Sequence, residues 1–526
     1  MLTPFDLIST KWSSRIDAKH ETRGLCCEVE GRTETLAEMC DWIIGTLHYR
    51  FGGLIVEELR EEWSLRYLFH SNALEPSWIY VVIRQPLSNT SFPSISAVVR
   101  AADWQEREAE DLFGLRFVGH PELGDFVLHD DAWQEDLAPM RVKFDGGSRV
   151  AERAPNRHWR PKRIVHAPGA FSMPIGPVYS AITESAHFLL ETVGEDVIRV
   201  APRFFYKYRA IEKSAEGRRA EDALLLAERL NGLSAFAHAL AFAQAFEAIN
   251  GINVPERAQG LRVFLAELER LRHHTGAIQE ICESTALVVA ASQAAILEEE
   301  LLRLSGALTG HRYLFGLAVC GGLSRDFEEN ELSAALVRAS NIHFRLQRLE
   351  ERLRKTSSFL DRLEEVGIVS EEEALGYGLV GPIARASGVA RDLRSVQPYA
   401  SYAKQSFTVP KEIEGDGYAR LRVLFAEAKQ SLRIMEQIAV RLGPGPVRAA
   451  ATRPLSGAAV GWTEAPLGAA LHWLRTDERG TVLRYRVVPP SFVNWNAFHL
   501  AAEAFAFQDF PIILATFGLS LTENDR

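Results

Sequence analysis

Between Thr35 and Arg50 apolar residues fall at Leu36, Met39, Trp42, Ile43, Ile44 and Leu47, a spacing that predicts an amphipathic helix. Leu65–Phe69 and Trp78–Arg84, the latter carrying Ile79, Val81, Val82 and Ile83, predict strands. Pro86–Pro93 is rich in turn formers, and Ile95–Trp104 leads into a charged stretch that predicts a helix stopping at Gly114. From His166 onward the pattern turns helical. Glu216–Asn250, Pro255–Ser305 and Glu328–Glu365 are Ala/Leu/Glu/Arg-rich, with Leu261, Phe264, Leu265, Leu268 and Leu271 as repeating apolar positions. Pro255 marks a helix start; Gly306, Gly310 and Gly321–Gly322 mark ends. Short β-like runs stand at Ala186–Val193 and Val482–Val488. The expected fold class is α+β: an α/β domain over residues 1–144, a linker over 145–165, and a mainly α-helical domain with small β elements over 166–526.

Composition narrows the function. The net charge of −10 over 526 residues argues against a nucleic-acid binder. No basic n-region with an apolar h-region is visible, and no run of about 18 apolar residues that would span a bilayer. The five cysteines (Cys26, Cys27, Cys40, Cys282, Cys320) contain no Cys-x-x-Cys pair, so they read as reduced, packed thiols in a cytoplasmic protein, with no iron–sulfur cluster in this chain. The linker holds Arg149, Arg153, Arg157, Arg160, Lys162 and Arg163, read as a solvated connector, with a docking strip for an acidic surface as the alternative. On pattern alone Glu106, Glu108, Glu110 and Asp111 read as a solvated helix face.

The segment Glu106-Arg-Glu-Ala-Glu-Asp-Leu-Phe-Gly-Leu-Arg-Phe-Val-Gly-His-Pro121 resembles the signature of the 30-kDa peripheral-arm subunit of respiratory complex I. That resemblance implies a structural element with no catalytic role. From Pro174 on, the chain resembles the large subunit of the complex-I-related, membrane-bound nickel–iron hydrogenases of formate-hydrogenlyase type. It is also similar, more weakly, to the 49-kDa quinone-site subunit of complex I. The resemblance is carried by Pro174–Val178, Arg209–Lys213, Ala227–Phe242, Val254–Gln259, Glu267–Leu271 with His274, Gly381–Gly388 with Arg391–Asp392, and Glu464–Pro466, all in family order.

Carried over residue by residue, the resemblance places the nickel–iron cysteine positions on Asn231, Ser234, Ser520 and Glu523, so no metal is expected. With the chain stopping at Arg526, no tail awaits removal after metal insertion. The two histidines of complex I's quinone loop fall on Tyr179 and Thr183, and its quinone tyrosine near Gly232. A quinone held by Tyr179 or Thr183, with His238 nearby, is the cofactor expectation; His238 and His274 otherwise read as hydrogen-bonded core histidines. Glu212, beside Arg209, stands where hydrogenases have a glutamate implied in proton transfer; the plain alternative is an ion pair with Arg209 or Lys213. Arg385 matches a site-lining motif, and a buried ion-pair network explains it and Asp392 equally well.

The resemblance therefore implies a peripheral subunit of a membrane-bound, complex-I-like electron-transfer complex coupled to ion translocation, without a nickel–iron centre. It would sit on the cytoplasmic side of the cell membrane. Its partners would be an iron–sulfur small subunit, which carries the cluster, and antiporter-like membrane subunits through which it meets the membrane. Catalytic roles would fall on Glu212, Arg209 and Arg385. The alternative is a non-catalytic scaffold that keeps the fold and docking surfaces.

Overall fold

A computed structural model describes residues 4–13, 16–22, 26–71, 77–129, 133, 137–144, 165–166, 168–178, 184–450 and 452–526. The linker's basic cluster, Tyr179 and Thr183 lie outside them. The chain divides into two compact units: Met1–Ile164 with Arg203–Tyr208 and Gly376–Gly378, and the remainder from Val165 to Arg526. Among the described residues no helix is long and apolar enough to cross a membrane.

The first unit is built on five strands, β1 (Ile16–Thr22), β2 (Cys26–Gly31), β3 (Arg50–Glu58), β4 (Glu62–His70) and β5 (Trp78–Pro86), in the order β1-β2-β5-β4-β3. Within this sheet β2 and β5 pair in parallel and the other neighbours antiparallel. β4 and β5 are buried along most of their length, which suits central strands with both faces covered. The expected helix at Leu36 is α1 (Leu36–Gly45), and the charged stretch is α2 (Asp103–Phe113), closed by Gly114 in the left-handed conformation at φ 66°.

The acidic residues of α2 correct the solvated-face expectation. Glu106 and Glu108 are buried. Glu106 accepts from the Ile95 amide at 2.9 Å and the Ser94 hydroxyl at 2.5 Å, and burial pushes its pKa up to about 7. Asp111 takes three consecutive amides, Phe126, Val127 and Leu128, at 2.7–3.2 Å; burial outweighs them and raises its pKa to about 6. These carboxylates supply acceptors for two loop stretches, Ser94–Ile95 and Phe126–Leu128. A pattern of charges cannot show that its partners arrive from elsewhere in the chain.

The second unit is mainly helical. The expected Glu216–Asn250 helix is broken into α3 (Ala220–Glu228) and α4 (Ala235–Asn250), and Pro255–Ser305 into α5 (Glu256–Ser284) and α6 (Val288–Thr309). α7 (Glu329–Leu353) and α8 (Gly417–Arg441) complete a bundle around α5, whose first five turns are buried on nearly all sides. A meander of β6 (Gly457–Ala465), β7 (Gly468–Thr476) and β8 (Val482–Val488) packs on α4. Only its last strand is legible in the sequence, because β6 is Ala/Gly-rich and β7 is buried along nearly its whole length, so neither alternates cleanly.

Gly461 explains the small residues of β6. A Cβ there would sit 2.0 Å from the Ala241 carbonyl oxygen and 2.5 Å from the Ala245 nitrogen, both backbone atoms of α4. Gly461→Ala must therefore push the strand off the helix, and overpacking of this kind costs about 1–3 kcal/mol or more. The expected outcome is a clear drop in the urea unfolding midpoint of the full chain, while Gly443→Ala, with open space around its Cβ, leaves it near wild type.

Candidate functional site

The break between α3 and α4 is the organising feature. Asn231 Oδ1 accepts the Leu233 amide at 2.7 Å, an Asx turn that lifts the chain out of helix at Asn231–Gly232. Ser234, next to α4, does not cap it. Glu269 of α5 does, taking the amides of Phe236 at 2.8 Å and Ala237 at 3.0 Å. Arg272, a turn on, donates to the Leu233 carbonyl at 2.6 Å. Burial raises the Glu269 pKa to about 7, against the pull of Arg272 and the two amides.

Freed from capping, Ser234 turns to the C-terminal segment. Its hydroxyl donates to Glu523 Oε1 at 2.9 Å, beside the Asn231 amide at 3.1 Å and His238 Nε2 at 3.2 Å. Glu523 Oε2 takes the Ser491 amide at 3.1 Å. Glu523 is fully buried; desolvation opposes its charge, yet His238 and the serine hydrogen bonds hold its pKa down to about 2. Ser520, one turn earlier, gives its hydroxyl to Glu184 at 3.4 Å and accepts the Glu523 amide at 3.3 Å. Glu184 also takes the amides of Leu521 and Thr522 and the Thr522 hydroxyl. The four positions named from the sequence, Asn231, Ser234, Ser520 and Glu523, thus meet in one place, with Asn231 and Glu523 292 residues apart in the chain.

Arg209 is the clasp of this junction. It donates to the carbonyls of Arg229, Leu230 and Thr522 at 2.6–3.0 Å, and its Nε and backbone N–H both reach the Asp525 carbonyl. It does not pair with Glu212, which corrects that expectation; Lys213 pairs with Glu216. Glu212 is fixed instead by Arg484 at 3.0 Å, Arg486 at 3.2 Å and Arg526 at 3.5 Å, plus the Val487 amide at 3.1 Å. Burial disfavours its charge, but the three guanidiniums hold its pKa below the usual carboxylate range. A carboxylate so held is an anchor, and protonating it takes a shared counter-charge from three buried guanidiniums, of which Arg484 also reaches Glu216 at 3.8 Å.

Two further groups of buried polar residues adjoin these. His238 Nδ1 meets His472 Nε2 at 3.0 Å, and His472 Nδ1 meets the Tyr485 hydroxyl at 2.8 Å, extending the Glu523 contact into β7 and β8. Arg385 lies in a network with Glu427 at 2.5 Å, Glu464 at 2.8 Å and Asp392 at 3.7 Å, so the ion-pair reading describes its contacts. His274 joins it through Glu427 at 2.8 Å. Sequence reasoning missed Glu184, Glu269, Glu427, His472 and Tyr485. The one signal for His472 is a lone histidine within the apolar run Gly468–Leu474.

The geometry describes a helical interior that stores its chemistry in buried charge, with a C-terminal segment threaded through it. Residues 29–150 match the family described as respiratory-chain NADH dehydrogenase, 30 Kd subunit. Residues 291–457 and 450–526 match respiratory-chain NADH dehydrogenase, 49 Kd subunit. The chain belongs to the complex-I-related proteins, as a 30-kDa-type domain followed by a 49-kDa-type domain. Among its relatives are formate hydrogenlyase subunit 5 of Escherichia coli K12, 29% identical over 92% of this chain and 87% of the relative, and hydrogenase-4 component G of the same organism, 28% identical over 89% and 82%. The fused C/D subunit of NADH-quinone oxidoreductase from Bdellovibrio bacteriovorus is 28% identical over 81% and 82%. A chain of the membrane-bound sulfane sulfur reductase, an archaeal respiratory membrane complex, superposes with a TM-score of 0.65 at 25% identity, over 68% of this chain and 99% of that one.

Two outcomes follow from the charges. Glu212→Gln removes the carboxylate charge that three buried guanidiniums share and is expected to destabilise the chain by roughly 3–5 kcal/mol in urea unfolding. Glu269, raised in the fold to about 7, contributes stability that is full below its unfolded range and lost as pH rises through 7. Glu269→Gln is therefore expected to flatten the stability profile between roughly pH 5 and 8, by about 3 kcal/mol relative to wild type.

Proposed function

We propose that this chain is the peripheral large subunit of a membrane-bound, complex-I-related oxidoreductase, and that the Glu523 cluster stands where hydrogenase relatives carry a nickel–iron centre. The observation that carries this is the convergence of Asn231, Ser234, Ser520 and Glu523. The resemblance put the four ligand positions on these residues, and the fold gathers them around one carboxylate.

The donor set does not fit nickel and iron. It offers an amide, two hydroxyls and a carboxylate, all hard oxygen or nitrogen groups, and no thiolate. Both Glu523 oxygens already accept hydrogen bonds from protein donors. Among the described residues no three His, Cys, Asp or Glu side chains converge as a metal site. In this reading electrons arrive on an iron–sulfur partner, and this chain contributes a charged, thiolate-free interior.

The membrane complex named for the structural neighbour, together with the oxidoreductase and hydrogenase subunits among the relatives, supports partners embedded in the membrane. We place the chain on the cytoplasmic side, held there by an iron–sulfur small subunit and antiporter-like membrane subunits. Affinity purification of the tagged chain from detergent-solubilised membranes tests this. The expected result is co-purification of a cluster-bearing small subunit and polytopic membrane subunits in fixed ratio. Recovery of the chain alone, in the fraction free of membranes, would contradict it.

A further inference from the structure

The interior around Arg385 is unbalanced in charge. Four carboxylates, Glu267, Asp392, Glu427 and Glu464, meet three guanidiniums, Arg270, Arg385 and Arg394, and every one of the seven is at most 3% exposed. The contacts are direct. Arg394 holds Glu267 at 2.9 Å and Asp392 at 2.6 Å, and Arg270 reaches Glu267 at 3.5 Å and Glu427 at 3.6 Å. Arg385 pairs with the other three carboxylates as described above. Guanidinium keeps its proton at any working pH, so the fully ionised network carries one excess negative charge away from water.

One bound proton removes that excess, and the hydrogen bonds decide which group holds it. Glu267 accepts from Arg394, the Tyr402 hydroxyl at 2.6 Å and the Ser431 hydroxyl at 2.6 Å. Asp392 takes two nitrogens of Arg394 and that residue's backbone amide at 2.9 Å. Glu427 is shared by Arg385 and His274. Each of these three carboxylates is bound by several donors that favour its charge. Glu464 has one guanidinium contact, Arg385 Nη1 at 2.8 Å, and the Leu393 amide at 2.9 Å. His274, bonded to Glu427 and to His273 at 3.2 Å, lies near Arg270 and Arg385; burial first, with these cations, holds it below the usual imidazole range against the pull of Glu427, and burial holds His273 lower still, so neither adds a positive charge. Burial, then Asp392, pushes Glu464 above the ordinary carboxylate range, while burial fails to raise the other three.

We propose that this network stores one exchangeable proton on the carboxyl group of Glu464. Release breaks the Glu464 O–H bond and passes the proton to water, leaving the network singly negative; uptake is the reverse, and no electron moves. A negative charge created nearby tightens the stored proton and its removal loosens it, which is what a proton-loading group in an electron-transfer subunit requires. That use rests on the proposed function; the presence of the proton does not.

The test uses the isolated full chain at neutral pH and needs neither partner nor substrate. Infrared difference spectra between wild type and Glu464→Gln are expected to show the loss of one protonated-carboxyl C=O band, shifted by deuterium exchange. Because glutamine mimics the protonated acid, Glu464→Gln should keep the wild-type urea midpoint, whereas Glu427→Gln should lower it sharply. No protonated-carboxyl band lost in Glu464→Gln, or a midpoint for that variant as low as for Glu427→Gln, would overturn the proposal. Neither result bears on which partners co-purify, so the two readings fail separately.

Discussion

The second unit depends on one carboxylate. Glu523 is near the end of the chain, yet it is fully buried and hydrogen-bonded to the break between α3 and α4 and to His238 inside α4. A buried carboxylate is costly to desolvate, so it is tolerable only because donors from Asn231, Ser234, His238 and Ser491 all face it. That requirement ties the C-terminal segment to the helix break, and Arg209 locks the same two stretches of chain through their carbonyls. Removing the anion would leave several buried donors unmatched at once.

The same rule, that buried charge must be met by charge or by hydrogen bonds, shapes the rest of the interior. Glu212 anchors three arginines of β8 and the C-terminus. Arg262 of α5 pairs with Glu247 of α4 at 2.5 Å. The network around Arg385 joins α5, α8 and β6. Such networks contribute little net stability but are expensive to break, so they fix which helix faces meet and where the C-terminal segment lies.

Much of this architecture can be read from the chain, because long amphipathic helices and the Glu106–Pro121 signature are strong local signals. The four clustered positions were also legible, since the resemblance aligned Ser520 and Glu523 with Asn231 and Ser234 before any contact was visible. What could not be read is which polar residues turn inward. Glu106 and Asp111 look like a wet helix face until the amides that fill them are seen. Glu212 looks like a local ion pair until Arg484, Arg486 and Arg526 close on it from 272 residues or more away. The helix break at Asn231–Gly232 was hidden for a related reason: besides the Asx turn of its own Asn231, it is held by Glu269 and Arg272 on a neighbouring helix.

The central claim is that a closed, thiolate-free cluster centred on Glu523 occupies the place of a nickel–iron centre. X-ray absorption at the nickel edge, on the complex purified from membranes and normalised to this chain, tests it most directly. The account predicts no stoichiometric nickel signal. A full equivalent of nickel with nitrogen, oxygen or sulfur ligands from this chain would contradict it.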